Sequence, residues 1–254
     1  MSAAATTLAA LRSTVFLLWM AGTLIVYASV AVLLSLVLRG KPFYWFCSGW
    51  MRLAVHGARW ICGVRWRLHG YERVEALDRA GTPVILTPKH QSAWETLAFP
   101  ALMPRPLAFV FKRELLFIPF FGWAIARLDM IHIDRSKRAQ AWAKVARQGA
   151  EFLQRGLWVI MFPEGTRTPR GAQGDYKTGG ARLALATDAV LLPIALTSAR
   201  CWPKGGFIKR PGVIDVSFGP PIPSAGRSPE ALMAEAEAWI EAEMRRLDPA
   251  AYRG

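Results

Sequence analysis

Only three cysteines occur in the 254-residue chain, Cys47, Cys62 and Cys201. An odd count with no CxxC spacing excludes a disulfide framework and a zinc knuckle, and it fits a reducing compartment. Acidic side chains are scarce: 18 Asp and Glu stand against 32 Lys and Arg, a formal net charge of +14. The partner or substrate is therefore expected to be anionic, and nucleic acid, anionic lipid and phosphorylated metabolites all fit that sign. There is no GxSxG nucleophile elbow and no HExxH pair, and His56, His69 and His132 lack ligand-like spacing, so neither a serine nucleophile nor a metal site is indicated. Internal repeats and low-complexity tracts are also absent.

Charge is missing altogether from Ser13 to Leu38. At helical rise this run is long enough to cross roughly 30 Å of hydrocarbon, so a transmembrane or deeply embedded helix is expected. A secretory signal would have a shorter apolar region and a small-residue cleavage site, whereas here the run continues past Ala28 and Ala31. Arg39, Lys41 and Arg52 follow the span and only Arg12 precedes it, a bias that puts the bulk of the chain in the cytoplasm. Residues 43–64 mix large aromatics with Arg52, His56 and Arg59 at helical spacings, which suits an amphipathic helix in the membrane interface or an ordinary half-buried one. A hydrophobic share of 53%, with 11 Trp and 13 Phe, agrees with contact to lipid or a very apolar ligand.

Beyond residue 63 short apolar runs alternate with longer periodic ones, the pattern of strands interleaved with helices. The expected fold class is α/β, with a mixed, mostly parallel central sheet flanked by helices and a membrane-embedded helical segment at the N-terminus. Strands are expected at 84–87, 108–111, 130–133, 157–162, 190–196 and 213–218, nearly all-apolar as strands buried on both faces should be. A helix is expected from Lys137 to Arg155, where Trp142, Val145, Phe152 and Leu153 share a face and Gly156 is placed to cap. The last helix should open at Ser228-Pro229-Glu230, with Ser as N-cap and Pro at N1, and run to about Leu247. TRTPRGAQGDYKTGG and CWPKGGFIKRPG read as surface loops. The division expected is residues 1–64 as membrane-anchoring helices and 65–254 as the main domain.

Two groups of residues carry chemistry. A strand ending in Pro88-Lys89-His90 leads to Gln91-Ser92-Ala93-Trp94-Glu95 and an apolar helical run. Glu95 in the first helical turn can fold back to the imidazole, fix its tautomer and stabilise the imidazolium formed when the other ring nitrogen accepts a proton. Ser92-x-x-Glu95 is equally a capping box, which needs no catalysis, and on these residues alone both readings stand. The strand LWVIMF ends in Pro163-Glu164-Gly165-Thr166-Arg167, where Gly165 allows close backbone approach to a ligand and Arg167 offers a two-pronged fork to phosphate. Lys112 and Arg113 follow another strand in the same way, and such strand ends commonly line one crevice of an α/β sheet.

Taken in order, HQSAWE at 90–95, FKRELLFIPFFGW at 111–123, FPEGTR at 162–167 and VLLPIAL at 190–196 resemble the glycerolipid acyltransferase family, and within it the bacterial 1-acylglycerol-3-phosphate acyltransferases. The resemblance implies that His90 is the general base on an acceptor hydroxyl and that Glu95 stands where the family usually has Asp. It implies further that Lys112 and Arg167 hold the acceptor's phosphate, with Arg113 and Thr166 beside them. Glu164 and Gly165 would shape the pocket, with Pro193 in the strand beside it. No metal, acyl-enzyme or cofactor is implied; acyl-CoA or acyl carrier protein would be the donor substrate, a lysophospholipid the acceptor and membrane lipids the surroundings, at the cytoplasmic side of a bacterial inner membrane. Rivals within the class are acylation of another lysolipid, such as lyso-ornithine lipid, or of lipid A. A basic, non-catalytic membrane- or nucleic-acid-binding protein, with Arg135-Ser136-Lys137-Arg138 and Lys209-Arg210 as its footprint, would leave the apolar span and the four ordered blocks unexplained, so nucleic acid is not expected as a partner.

Overall fold

A computed structural model of the chain describes residues 2–134 and 138–252. Seven strands form one sheet: β1 (Val64–His69), β2 (Val84–Pro88), β3 (Leu107–Lys112), β4 (Ile131–Ile133), β5 (Trp158–Ile160), β6 (Val190–Leu196) and β7 (Gly212–Phe218). Their spatial order is β1-β7-β6-β2-β5-β3-β4. Every pairing is parallel except β6 with β7. Five neighbouring strands therefore point the same way, and β1 and β7 run against them, which is the mixed, mostly parallel sheet the sequence leads one to expect. The C-terminal ends of β2, β5 and β3, adjacent in the sheet, open on one side.

The helices are α1 (Ala3–Leu34), α2 (Gly40–Cys62), α3 (Tyr71–Arg79), α4 (Trp94–Leu102), α5 (Phe121–Ile125), α6 (Arg138–Gln154), α7 (Gly179–Thr187), α8 (Ser198–Cys201) and α9 (Pro229–Leu247), with 3-10 turns at Arg113–Phe117 and Pro249–Ala251. One face of the sheet packs on α2 and α4 through Val84, Leu86, Leu107, Phe109, Trp158 and Ile160; the other packs on α6, α7 and α9 through Ile85, Ala108, Val159 and Leu191. Alternate residues of β2 thus enter different cores, which is why the strand reads as a continuous apolar run. Val84, Ile85 and Leu86 have no exposed surface, and burial of each such side chain contributes about 1.5–3 kcal/mol.

All six expected strands form, that at 157–162 shortened to Trp158–Ile160, with Met161 and Phe162 already in the loop that follows. The strand β1 was not expected, because Arg65 and Arg67 interrupt its apolar residues; it is an edge strand with those arginines exposed. Gly156, at φ +74°, follows the end of α6 as anticipated. Ser228 caps α9 by accepting the Ala231 amide at 3.1 Å, with Pro229 in the first turn. The side chains of the basic run at 135–138 lie outside the described residues. Lys209 departs from a solvated patch: it is buried, its ammonium lies over the Trp202 ring, and its main-chain N–H donates to Ser13 Oγ at 2.8 Å.

That last bond belongs to the seating of α1, a 32-residue helix apolar enough to cross a membrane. Phe16 is fully buried and meets Trp202 edge-on, Tyr27 donates its hydroxyl to Phe46 O at 2.9 Å, and Ala28 and Ala31 are buried. Close approach to α2 requires Gly57, since a Cβ there would lie 2.2 Å from the Trp19 ring. The opposite side of α1 meets no protein: Leu18 is 70% exposed, Val26 67% and Leu33 67%. One face of α2 is buried against α1 and α4, while Arg52, Arg59 and Trp60 are exposed on the other.

Candidate active site

His90 follows the end of β2, where Pro88 closes the strand and the Lys89 amide adds one further bond to Ile194 O at 2.9 Å. Its ring nitrogen Nδ1 lies 2.6 Å from Glu95 Oε2, and the ring stacks on Phe162 with centroids 3.8 Å apart. Glu95, wholly buried in the first turn of α4, accepts main-chain N–H groups from Gln91 at 2.9 Å and Ser92 at 2.8 Å and a short hydrogen bond from the Ser198 hydroxyl. A buried carboxylate requires such donors to offset its lost hydration. Facing that carboxylate, Nδ1 carries the hydrogen, which leaves Nε2 as the nitrogen able to accept a proton.

The two readings of Ser92-x-x-Glu95 meet in this one side chain. Glu95 takes the Ser92 amide as in a capping box, but the reciprocal bond is missing: Ser92 Oγ accepts the Trp94 amide at 3.0 Å, and Ala93 occupies the cap position. The second carboxylate oxygen, which shares the Gln91 amide at 3.2 Å, is the one on His90.

The loop after β5 lies alongside. Gly165 has φ +66°, in the left-handed region where a side chain is strained. Glu164 Oε2 accepts the His90 amide at 2.8 Å, and Thr168 returns its amide and hydroxyl to His90 O at 2.8 and 3.1 Å. A cavity of about 800 Å³ opens here, lined among others by His90, Lys112, Glu164, Gly165, Thr166 and Arg167. The histidine and the expected phosphate ligands thus line one cavity. Arg167 is half-buried, with its Nε enclosed and no hydrogen-bond partner among the described residues. Lys204 donates to Arg167 O at 2.6 Å, and Lys177 and Lys204 add two cations to the cavity that sequence reading missed.

Two expected residues do not line the cavity. Arg113 is exposed and outside the cavity lining, near His132 and Lys144 at the sheet edge. There Lys144 Nζ is 2.7 Å from His132 Nε2; burial, Lys144 and Arg113 lower the His132 pKa, and burial, Arg147 and Arg113 lower that of Lys144. Pro193 is buried in β6, the strand beside β2, opposite the cavity residue Thr87, and packs toward Gly219. A second cavity, about 280 Å³ and almost wholly apolar, adjoins the first through Thr96, Phe109, Phe111, Leu115 and Arg167 and extends to Leu24, Ala28, Ala31, Cys47 and Trp50 of α1 and α2.

The stretch that holds His90 and Arg167 is matched by a known family. Residues 65–197 match the acyltransferase family model. The 1-acyl-sn-glycerol-3-phosphate acyltransferase of Pseudomonas aeruginosa is 38% identical over 97% of this chain and 95% of its own. The chain belongs to the acyltransferase family. An enzyme of the same description from Limnanthes douglasii shares 32% identity over 64% of this acyltransferase and 56% of the relative. The crystal structure of the 1-acyl-sn-glycerophosphate acyltransferase of Thermotoga maritima superposes with a TM-score of 0.77, at 23% identity, over 94% of this chain and 95% of that one, a likeness of fold. Sequence reading of this acyltransferase gave no role to Lys89 or Phe162, although both stand in the segments quoted above, and it overlooked Ser198 and Tyr176.

Proposed function

We propose that the acyltransferase moves a fatty acyl group from a thioester, acyl-CoA or acyl carrier protein, to the sn-2 hydroxyl of 1-acylglycerol 3-phosphate, giving phosphatidic acid. The observation that carries this reading is a cavity that gathers His90 with the cations of Lys112, Arg167, Lys177 and Lys204 and adjoins an apolar one reaching into α1 and α2. Such a pair suits a substrate with a phosphate at one end and an acyl chain at the other. His90 Nε2 takes the proton of the acceptor hydroxyl as its oxygen attacks the thioester carbonyl. The carbon–sulfur bond breaks, the thiolate leaves, and the imidazolium, steadied by Glu95, passes the proton to the thiolate to give the thiol. Arg167 and Lys112 hold the phosphate, and fixing the acceptor beside the base contributes through orientation.

Membrane association follows from α1. Contacts from Ser13 to Ala31 hold it against the domain over roughly 27 Å at helical rise. We read the helix as lying along the domain with its free apolar face in lipid, within the inner leaflet of a bacterial inner membrane and with the cavity toward the cytoplasm. The test is a radiolabelled acyl-transfer assay on purified membranes with lysophosphatidic acid, lyso-ornithine lipid and glycerol 3-phosphate as acceptors and His90→Ala as control. Phosphatidic acid is expected from wild type, falling at least about 10²-fold in the variant. Preferred transfer to lyso-ornithine lipid, or turnover indifferent to His90→Ala, would overturn the reading.

A further inference from the structure

Helix α9 lies outside the segment matched by the family model, yet it reaches the back of the active site. The connection is Lys89, whose side chain is completely buried. Its ammonium pairs with Glu164 Oε1 at 2.8 Å and with Glu241 Oε1 of α9 at 2.6 Å, and donates to Ala172 O at 3.0 Å. Tyr176 donates its hydroxyl to the same Glu241 oxygen at 2.9 Å. Burial pushes the Tyr176 phenol up, and the charges of Glu241 and Glu164 push it further, so it stays a donor.

A buried ammonium is tolerable only when paired, and here its two carboxylates have different tasks. Glu164 turns its second oxygen to the His90 amide at 2.8 Å, while the His90 carbonyl is held by Thr168. Both main-chain polar groups of His90 are thereby bound to the loop after β5, and the carboxylate that holds the amide is oriented by Lys89. Glu241 fixes the ammonium from the far side. Without it Lys89 would keep only Glu164 and the Ala172 carbonyl, and the carboxylate that holds the His90 amide would be less firmly placed.

We propose that Glu241 is a positioning residue for acyl transfer, acting through Lys89 and Glu164 on the main chain of His90; this rests on the function proposed above. Glu241 touches no reacting atom. Its loss displaces the base, and small displacements of a reacting group cost up to about 10²-fold in rate. The test uses the full-length membrane-bound protein, with kcat expressed per folded enzyme and Tm followed in parallel. Glu241→Ala is expected to lower kcat about 10- to 100-fold with both KM values within about twofold of wild type. Glu241→Gln recovers most of that loss, because its amide oxygen accepts from Lys89 and Tyr176. In combination with Lys89→Met, Glu241→Ala adds nothing further, as expected of residues acting as one unit. Should Glu241→Ala fail to fold, Tyr176→Phe is the readout, with a severalfold fall in kcat at unchanged KM. A full kcat in folded Glu241→Ala, or in Tyr176→Phe where it stands in, overturns the proposal, as does a loss confined to KM or additivity with Lys89→Met. A wild-type protein with no transferase activity would instead refute the functional reading.

Discussion

Replacing Glu95 by Gln separates a helix cap from a partner of the catalytic base. The carboxylate's Oε1 accepts the Gln91 amide, the Ser92 amide and the Ser198 hydroxyl, whereas Oε2 faces His90 Nδ1 at 2.6 Å and has only a longer share of the Gln91 amide, at 3.2 Å. An amide placed with its oxygen at the Oε1 position keeps all three of the first bonds, so α4 stays capped and the stability change should be about 1 kcal/mol or less. The amide NH2 then falls opposite Nδ1. Two donors cannot face each other, so the imidazole moves its hydrogen to Nε2, the nitrogen that must accept the acceptor's proton. A wrong tautomer in an otherwise intact histidine–carboxylate site costs about 10⁴-fold in a hydrolase template, and loss of general-base action about 10²–10⁴-fold more generally. We therefore expect kcat to fall about 10³-fold, close to 4 kcal/mol, with acceptor KM unchanged. Steady-state transfer to lysophosphatidic acid and thermal melts of wild type and variant would be compared. Near-normal turnover at an unchanged Tm would refute the tautomer argument and reduce Glu95 to a cap.

Arg167→Lys keeps the charge but loses the fork, and Nε, enclosed without a partner, is replaced by a rotating ammonium. It should raise the acceptor's KM about tenfold with little change for the donor; a purely donor-side effect would remove Arg167 from the phosphate site. In the apolar cavity, Ala31→Phe inserts a ring from α1 into the space that we assign to an acyl chain. The preference for long over short acyl chains should fall by about tenfold in kcat/KM; an unchanged chain-length profile, measured with a series of acyl donors, would place the chain elsewhere.

Much of the site could be read before any coordinates because its parts are local. His90 and Glu95 are separated by one strand end and one helical turn, so the bond between them needs no long-range information. The strands β2, β3, β5 and β6 were legible because burial on both faces makes them continuous apolar runs. β1 was not, since its arginines follow from an edge position that only the pairing with β7 creates. The separation of Lys112 from Arg113 was equally hidden: neighbours along a chain can face different surroundings, and only the end of β3 sends one to the cavity and the other toward His132.

The amino-acid order alone determined the α/β class, the apolar first helix and the chemistry of the histidine block, because periodicity and short-range geometry are properties of neighbouring residues. Tertiary structure alone decided that Glu241 lies behind Lys89, 152 residues away, and that Ser198, 103 residues on, donates to Glu95. It decided also that α1 is seated along the domain through Ser13 and Phe16, so that its alanines wall an apolar cavity. Pairing of buried charges and the joining of cavities depend on which elements share a space, and that is set by the packing of the whole sheet.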